Sequence, residues 1–431
     1  MWDFETDPEY QAKLDWANTF VREEVEPLDH VFVTPYDKSD TEMVKRLGPL
    51  QEKVKEQGLW ACHLEPEYGG QGYGQVKLAL LNEILGRSRF APSVFGCQAP
   101  DSGNAEILAK YGTEEQKAQF LQPLLDGEIS SCYSMTEPQA GADPTLFTTT
   151  AVRDGDSWVI NGEKWFSSNA RYAAFYLVMV KTNPDAEAHR GMSMFIVPAD
   201  TPGIEVIRNV AVGGEPDEHG AHAYIRYNDV RVPLENLLGN EGDGFEVAQT
   251  RLGGGRIHHG MRTVAEVRKA FDLMCERAVS RMTRTGRLAD LQATQEKIAD
   301  SWIQIEQFRL LLLRTAWLID KHQDYRVVRK DIAAVKVAMP TVFHDVVQRA
   351  MQLHGALGIS SEMPFSEMMV WAQVMAIADG PTEVHKWTLA KQLLRDVQPG
   401  ETLFGSGHLP TLRDAAREKL GLSLDRAAAE H

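Results

Sequence analysis

Three stretches of the sequence set chemically useful side chains beside small residues. The first is Tyr133-Ser134-Met135-Thr136-Glu137-Pro138-Gln139-Ala140-Gly141-Ala142-Asp143. It mixes hydroxyls with an apolar Met and ends in small residues, which let a backbone approach a ligand and present N–H groups to a phosphate. The same residues also suit a plain strand and turn, with Thr136 in a local hydroxyl turn. The second is Ile160-Asn161-Gly162-Glu163-Lys164-Trp165-Phe166-Ser167-Ser168-Asn169. It reads as a hairpin turning at Asn161-Gly162, whose adjacent aromatics suit one wall of a flat ligand or simply pack. The third pairs Gln352-Leu353-His354-Gly355-Ala356-Leu357-Gly358, a helix closing in a glycine turn, with Ile377-Ala378-Asp379-Gly380-Pro381-Thr382-Glu383. There a carboxylate interrupts an apolar helix, which is costly unless it is partnered. Desolvation is expected to raise its pKa towards that of a general base. The plainer role for Asp379 is to cap the helix carrying His385 and Trp387.

Other signals are weaker. The run Gly69-Gly70-Gln71-Gly72-Tyr73-Gly74 has helical flanks rather than a βαβ setting, so it reads as a structural loop and not a dinucleotide fingerprint. His258 and His259 are adjacent, so on a helix they point about 100° apart and do not chelate one metal from one face. Cys62, Cys97, Cys132 and Cys275 match no zinc or redox spacing and are expected to be reduced, mostly buried thiols. No Gly-x-Ser-x-Gly elbow is present.

The elements that must position these residues fall into three zones. From Asp7 to about Gly127 the hydrophobic period is helical, as in Leu14, Ala17, Phe20 and Val21. From about Ser131 to Gly244 it shortens. Asp154-Gly155 and Asn161-Gly162 are hairpin dipeptides, and Phe175–Val180, Met192–Val197 and Ala223–Tyr227 are strand-like, which predicts an all-β sandwich or barrel. After Gly244 the helix period returns. Val264, Val267, Phe271, Met274, Ala278 and Met282 form one stripe, and Met369–Ala378 is apolar nearly all round and expected to be buried. Domains are therefore expected at 1–130 (helical), 131–242 (β) and 243–400 (helical), with 401–431 a tail holding one weak helix.

At 431 residues the chain has material for several units. Its 45 basic and 61 acidic residues leave a net charge of −16, which argues against nucleic acid and polybasic membrane adhesion as partners. No apolar run reaches a membrane span, and the N-terminus is acidic without a leader-like apolar region. A soluble, cytoplasmic protein is the expectation.

Taken in order and spacing, these residues resemble the acyl-CoA dehydrogenase family over roughly residues 7 to 395. The Thr-Glu-Pro-x-Ala-Gly segment is similar to the family's first flavin strand, and Ile160–Asn169 to its second. Val230-Arg231-Val232-Pro233, Asn236-Leu237-Leu238-Gly239 and Gly242-x-Gly244-Phe245 match its exit from the β domain. Arg281 precedes Gln292 by eleven residues and Gln352 precedes Asp379 by 27, both family spacings.

The fold implied is multi-domain α with a β-barrel insert: N-terminal helical domain, central β-barrel, C-terminal four-helix bundle. FAD is the implied cofactor. By the resemblance Tyr133, Met135 and Thr136 contact its ring, Gly141 and Ala142 lie near its pyrophosphate, and Phe166 and Ser168 close the other side. Arg281 and Gln292 belong to a segment reaching a partner subunit's FAD. Gln352, Gly355 and Gly358 hold the adenosine end, and Pro381, Thr382 and Glu383 return to the flavin. Arg256 and Gly380 fall on the substrate side, with Asp379 as catalytic base. The implied reaction is α,β-dehydrogenation of an acyl-CoA to the trans-2-enoyl-CoA, with electrons passing to an electron-transfer flavoprotein. A homodimer or homotetramer is implied.

The chain departs from the common pattern at Asp379, where Glu is usual, at Phe166 for Trp, at Ala142 for Ser, and at Arg284-Thr285 for Phe-Gly. Asp-Gly-Pro followed by Glu-Val-His is similar to the branch of long-chain and 4-hydroxyacyl-CoA dehydrogenases. Some relatives carry the base just before the arginine matching Arg256; here that residue is Gly255. Two alternatives remain: a nitroalkane-oxidase-like flavin oxidase of the same fold, and a non-catalytic acyl-CoA-binding scaffold.

Overall fold

The first helix, Pro8–Phe20, begins where Asp7 turns its carboxylate back to the N–H of Tyr10 and Pro8 presets the first turn. Thr113 and Gln116 close a reciprocal cap in the same way further on. The longer helices of this N-terminal part are Thr41–Glu56, Gly74–Leu85 and Asp101–Tyr111. The glycine run before the second of these is structural: a Cβ on Gly70 would stand 1.9 Å from the Leu64 carbonyl oxygen. The computed structural model describes residues 5–187, 189–400 and 403–422. The first four residues of the acidic start, and 401, 402 and 423–431 of the expected tail, lie outside these. Within the tail, Leu409–Lys419 forms the one helix anticipated there.

The central part contains β1 (Ser131–Ser134), β2 (Thr150–Asp154), β3 (Ser157–Ser168), β4 (Phe175–Lys181), β5 (Met192–Pro198), β6 (Ile204–Val210), β7 (His222–Pro233) and β8 (Leu237–Leu238). They form one sheet in the order β6-β7-β3-β1-β4-β5-β8, with β2 pairing to both β3 and β4. The path is open at β6 and β8, so the β domain is as expected but a closed barrel is not what the pairing shows. Strands β4 and β5 are buried on both faces. Phe175, Leu177 and Met179 face the helices around 101–125, while Tyr176, Val178 and Val180 face the opposite layer.

One expectation fails here. Asn161-Gly162 is no hairpin turn; it lies inside β3, where the register against β7 shifts between Ile160 and Gly162. Gly162 takes φ of 143° and leaves no room for a Cβ beside Thr149, so the glycine serves a bulge. The turn belongs to Gly155, between β2 and β3.

Helices Gly244–Ser280, Gln292–His322, Arg329–His354, Phe365–Ile377 and Thr382–Leu394 make the C-terminal part. Their core is continuous with that of the N-terminal helices: Leu81 and Phe90 belong to the same buried cluster as Met261, Val264, Phe308 and Met339. The predicted stripe holds from Val264 to Ala278, but Met282 lies past the helix end and is exposed. The Met369–Ala378 run is not wholly buried either. Ala372 and Met375 are inside, whereas Ile377 is 69% exposed. All four cysteines are free, three of them buried. No helix among the described residues is long and apolar enough to cross a membrane.

Candidate active site

The Phe365–Ile377 helix ends because Ala378 is extended and the next two residues, Asp379 and Gly380, take φ of +56° and +102°. A non-glycine residue in that region costs of order 1–3 kcal/mol, so its surroundings must hold it there. They do so through the carbonyls that a helix end leaves free. Met375 and Ala378 each accept a hydrogen bond from Lys336 Nζ at 2.8 Å. Ala376 accepts one from Thr382 Oγ1 at 3.2 Å. The Asp379 carbonyl accepts from Arg256 Nε at 2.9 Å and from His385 Nε2 at 3.2 Å. The following helix has Pro381 at its N-cap and no side-chain cap, so the capping role considered for Asp379 is not the one it plays.

Fixed in this way, the carboxylate faces the Gly244–Ser280 helix. Its Oδ2 lies 3.6 Å from His259 Nε2, and a Cβ on Gly255 would approach it to 3.0 Å. The absent side chain at 255 is what gives the carboxylate its room. Around it opens a cleft with about 310 Å³ of empty space, lined also by Ser102, Gly103, Arg251, His258 and Arg262. A second cleft of about 480 Å³ lies among the N-terminal helices beside Tyr36, His63 and Asp101, and shares with the first only Ser102.

The electrostatics overturn one expectation. Burial does act to raise the Asp379 pKa, but His259, Arg251, Lys336 and Arg256 together outweigh it and hold the carboxyl below its ordinary value. Burial pushes His259 down to about 4, so at neutral pH the imidazole is uncharged, and the charge that holds the carboxyl low there comes from Arg251, Lys336 and Arg256. A half-buried acid with the opposite behaviour is Glu106, raised to about 7 by burial, but it faces Gly254 and Tyr325 rather than the cleft.

The two strand segments singled out by sequence meet in the sheet. Tyr133 of β1 pairs with Ser168 of β3, and the Trp165 N–H donates to the Thr136 carbonyl at 2.8 Å. Phe166, at φ +55°, is held 41% exposed and stacks on His222, whose Nδ1 meets Ser168 Oγ at 2.9 Å. Beneath them Lys164 and Glu137 form a fully buried ion pair at 2.9 Å, and Lys164 also donates to the Met135 carbonyl. Arg251 joins this wall to the cleft: its guanidinium lies 3.8 Å from the centre of the Tyr133 ring, and its Nε donates to Asn104 Oδ1.

Three consecutive parts of the chain match the family models described as acyl-CoA dehydrogenase N-terminal domain (7–128), middle domain (132–230) and C-terminal domain (242–394). The chain belongs to the acyl-CoA dehydrogenase family. It is 42% identical over 393 residues to FadE2 of Mycobacterium tuberculosis, a probable acyl-CoA dehydrogenase, covering 90% of this chain and 92% of that one. Acyl-CoA dehydrogenase family member 11 of Gallus gallus is 42% identical over 396 residues, but there the chain spans only half of the relative's length. Butyryl-CoA dehydrogenase from Megasphaera elsdenii superimposes with a TM-score of 0.77 at 28% identity, over 91% of this chain and all of that one. As a member of this family the protein is an oxidoreductase and a flavoprotein whose cofactor is FAD.

The residues present fit FAD. An exposed Phe166, hydroxyls on Tyr133, Thr136 and Ser168, and an exposed turn at Gly141-Ala142 come from the paired strands β1 and β3 and the segment that follows β1. Gly141, at φ +40°, has no atom within 4 Å of where a Cβ would stand, so the turn is open to a ligand. Gly355 is equally open, whereas Gly358 is buried against the Met351 carbonyl and serves packing. Gln352 and Glu383 are exposed, and Gln292 bonds to Glu296.

Not all the expected site residues come together in one chain. Arg281 lies 25 residues beyond Arg256, just past the far end of the Gly244–Ser280 helix, about 38 Å away at the standard helical rise. Conversely, sequence reading passed over Lys336, Arg251, His222 and His259. The spacing of Arg256 and His259 (i, i+3) puts them on one helix face and was the available signal. Among the described residues no group of His, Cys, Asp and Glu stands together as a metal site.

Proposed function

We propose that the protein oxidises an acyl-CoA thioester to its trans-2-enoyl-CoA, with Asp379 as the base that removes the α-proton, and passes the electrons to an electron-transfer flavoprotein. The observation that carries this reading is the placement of Asp379: an ionised carboxylate, locked by its backbone, at the cleft that adjoins the Tyr133–Ser168 wall. FAD, when bound, supplies the hydride acceptor. The Asp379 carboxylate takes the proton on Oδ, and the arginines and Lys336 keep that oxygen charged until it does. The Asp379 N–H makes no hydrogen bond among the described residues, which leaves it free to donate to the thioester oxygen as negative charge develops there. Arg256 and His385, by fixing the Asp379 carbonyl, orient that N–H. The proposal carries with it the domain division at 130, 242 and 400, and a homodimer or homotetramer in which Arg281 reaches a neighbour's cofactor.

The cleft also bears on the acyl group. Its walls carry Arg251, Arg262, Ser102 and His258, and His258 Nε2 is buried without a partner among the described residues. A plain hydrocarbon would leave that nitrogen, and the guanidinium N–H groups that Asn104 and Cys97 do not take, unsatisfied, which is costly. An acyl group with a hydrogen-bonding substituent near the reacting carbons fits the walls better.

Anaerobic titration of the purified yellow protein with plain, branched and hydroxylated acyl-CoAs tests the whole reading. Bleaching of the flavin, strongest with a substituted acyl chain and insensitive to oxygen, is expected. Rapid turnover with oxygen and no need for CoA would make the protein an oxidase, and a colourless protein that binds acyl-CoA would make it a scaffold.

A further inference from the structure

We propose that Lys336 is a positioning residue for this reaction: reaching across from the Arg329–His354 helix, its ammonium group ties down the turn that carries Asp379 and so sets where the carboxylate stands. The inference rests on Asp379 being the base. Lys336 is 1% exposed, and it forms no salt bridge among the described residues. Its hydrogen bonds go to two carbonyls, Met375 and Ala378, on either side of the point where the Phe365–Ile377 helix breaks. That is the negative end of the helix dipole, where a cation is favoured.

Burying an ammonium group in a bundle core is otherwise unfavourable, and an apolar side chain of the same length would pack there without that penalty. Here that cost is offset by two carbonyls that the helix end leaves free, one and four residues before Asp379, so Lys336 together with Arg256 and His385 holds the turn in which Asp379 takes its positive φ.

A second consequence is electrostatic. The charged and titratable groups facing Asp379 are Arg251, Arg256, His259 and Arg262 from the Gly244–Ser280 helix, His385 from the Thr382–Leu394 helix, Tyr133 from β1, and Lys336. Both histidines are held neutral by burial at physiological pH. Lys336 thus acts on the carboxylate from the Arg329–His354 helix, apart from the arginines of the Gly244–Ser280 helix, and losing it removes charge that keeps Asp379 ionised. Burial brings Lys336 itself down to about 8, so the ammonium form prevails at neutral pH.

The test uses the FAD-loaded protein with Lys336→Met, Lys336→Arg and Asp379→Asn, and the acyl-CoA that bleaches the wild type best. For a folded, yellow Lys336→Met protein, the bleaching rate at saturation is expected to fall about 10- to 100-fold, the scale of a displacement near 1 Å. The apparent affinity for acyl-CoA should change far less, and the acid limb of the pH–rate profile should move to higher pH, which a purely structural defect would not cause. Lys336→Arg should restore the limb and part of the rate. A Lys336→Met protein with wild-type rate and limb overturns the proposal. If Lys336→Met does not fold, Lys336→Arg decides: its planar donors do not match both carbonyls, so slowed bleaching with an unmoved limb supports the proposal and a wild-type rate overturns it. Asp379→Asn separates the two layers, because wild-type bleaching by that variant would remove the base itself rather than its support.

Discussion

At the scale of single residues, the position of Asp379 explains how a side chain one methylene shorter than glutamate can serve. Its left-handed backbone and the bare Gly255 opposite bring the carboxylate to the helix surface, where a longer acid would meet the Gly255 backbone and His259. Asp379→Asn keeps the shape and removes the proton acceptor. It should stay folded and yellow and bind acyl-CoA, while single-turnover flavin bleaching drops by about 10²–10⁴-fold, the range for a general base. Asp379→Glu should keep part of the rate. Because the surrounding cations hold the Asp379 pKa below its ordinary value, the carboxylate is ionised at every pH above that range and protonates only as pH falls through it. The profile of kcat/KM, which reports the free enzyme, should therefore show no acid limb from this group at or above the ordinary carboxylate range; a limb near neutrality would show that another group is the base. The sequence revealed the acid and its apolar setting. It did not reveal the sign of the pKa shift, because the cations that decide it come from positions 251, 256 and 336, far apart in the chain and brought together only by bundle packing.

At the scale of elements, periodicity located the helices and most strands, since burial on one face leaves a mark every 3.6 or 2 residues. It failed where a residue served a local irregularity: Gly162 at a bulge rather than a turn, and Met282 after a helix end rather than on its stripe. The most consequential element-level device was also invisible, because Glu137 and Lys164 read as ordinary polar residues within their motifs. In the structure Glu137 accepts from Lys164 and from the N–H groups of Thr148 and Thr149, and so joins β3 to the turn that presents Met135 and Thr136. Burial opposes its charge, but Lys164 and those N–H groups prevail and bring the Glu137 carboxyl down to about 2. The folded-state value lies below the unfolded one, so this group's contribution is complete above about pH 4.5 and is lost as pH falls towards 2. Glu137→Gln leaves Lys164 buried and unpaired, and should cost about 3–5 kcal/mol. Chemical denaturation at pH 7 should show that loss together with weaker flavin retention. The same measurement at pH 3 should show a smaller difference from wild type, and an equal difference at both pH values would mean the ion pair is not its origin.

At the scale of the whole molecule, helical, β and helical zones are consecutive in sequence, yet the two helical zones share one core and the sheet is attached through the Asp101–Tyr111 region. In keeping with this order, the expected site residues are spread along the chain rather than gathered at one place. The Asp379 carboxylate faces Gly255 and His259 in the first half of the Gly244–Ser280 helix, and Arg281 lies just past its far end, exposed and without an ion pair among the described residues. Near it Val279, Met282 and Leu291 are exposed, and across the bundle so are Trp302, Ile359 and Trp387. Apolar surface on this scale marks an interface more readily than a free face. A neighbouring subunit placed there would bring Arg281 to that subunit's cofactor, where a guanidinium pairs well with pyrophosphate. Arg281→Ala should then weaken FAD retention by about 1.5–3 kcal/mol, the worth of a hydrogen bond to a charged group, which is about 10- to 150-fold in dissociation constant. It should loosen the assembly as well. Light scattering combined with the flavin-to-protein ratio across a dilution series reads both at once. Coupled loss of flavin and of mass is the expected outcome, whereas a monomer that keeps its full complement of FAD would show that each chain completes its own site.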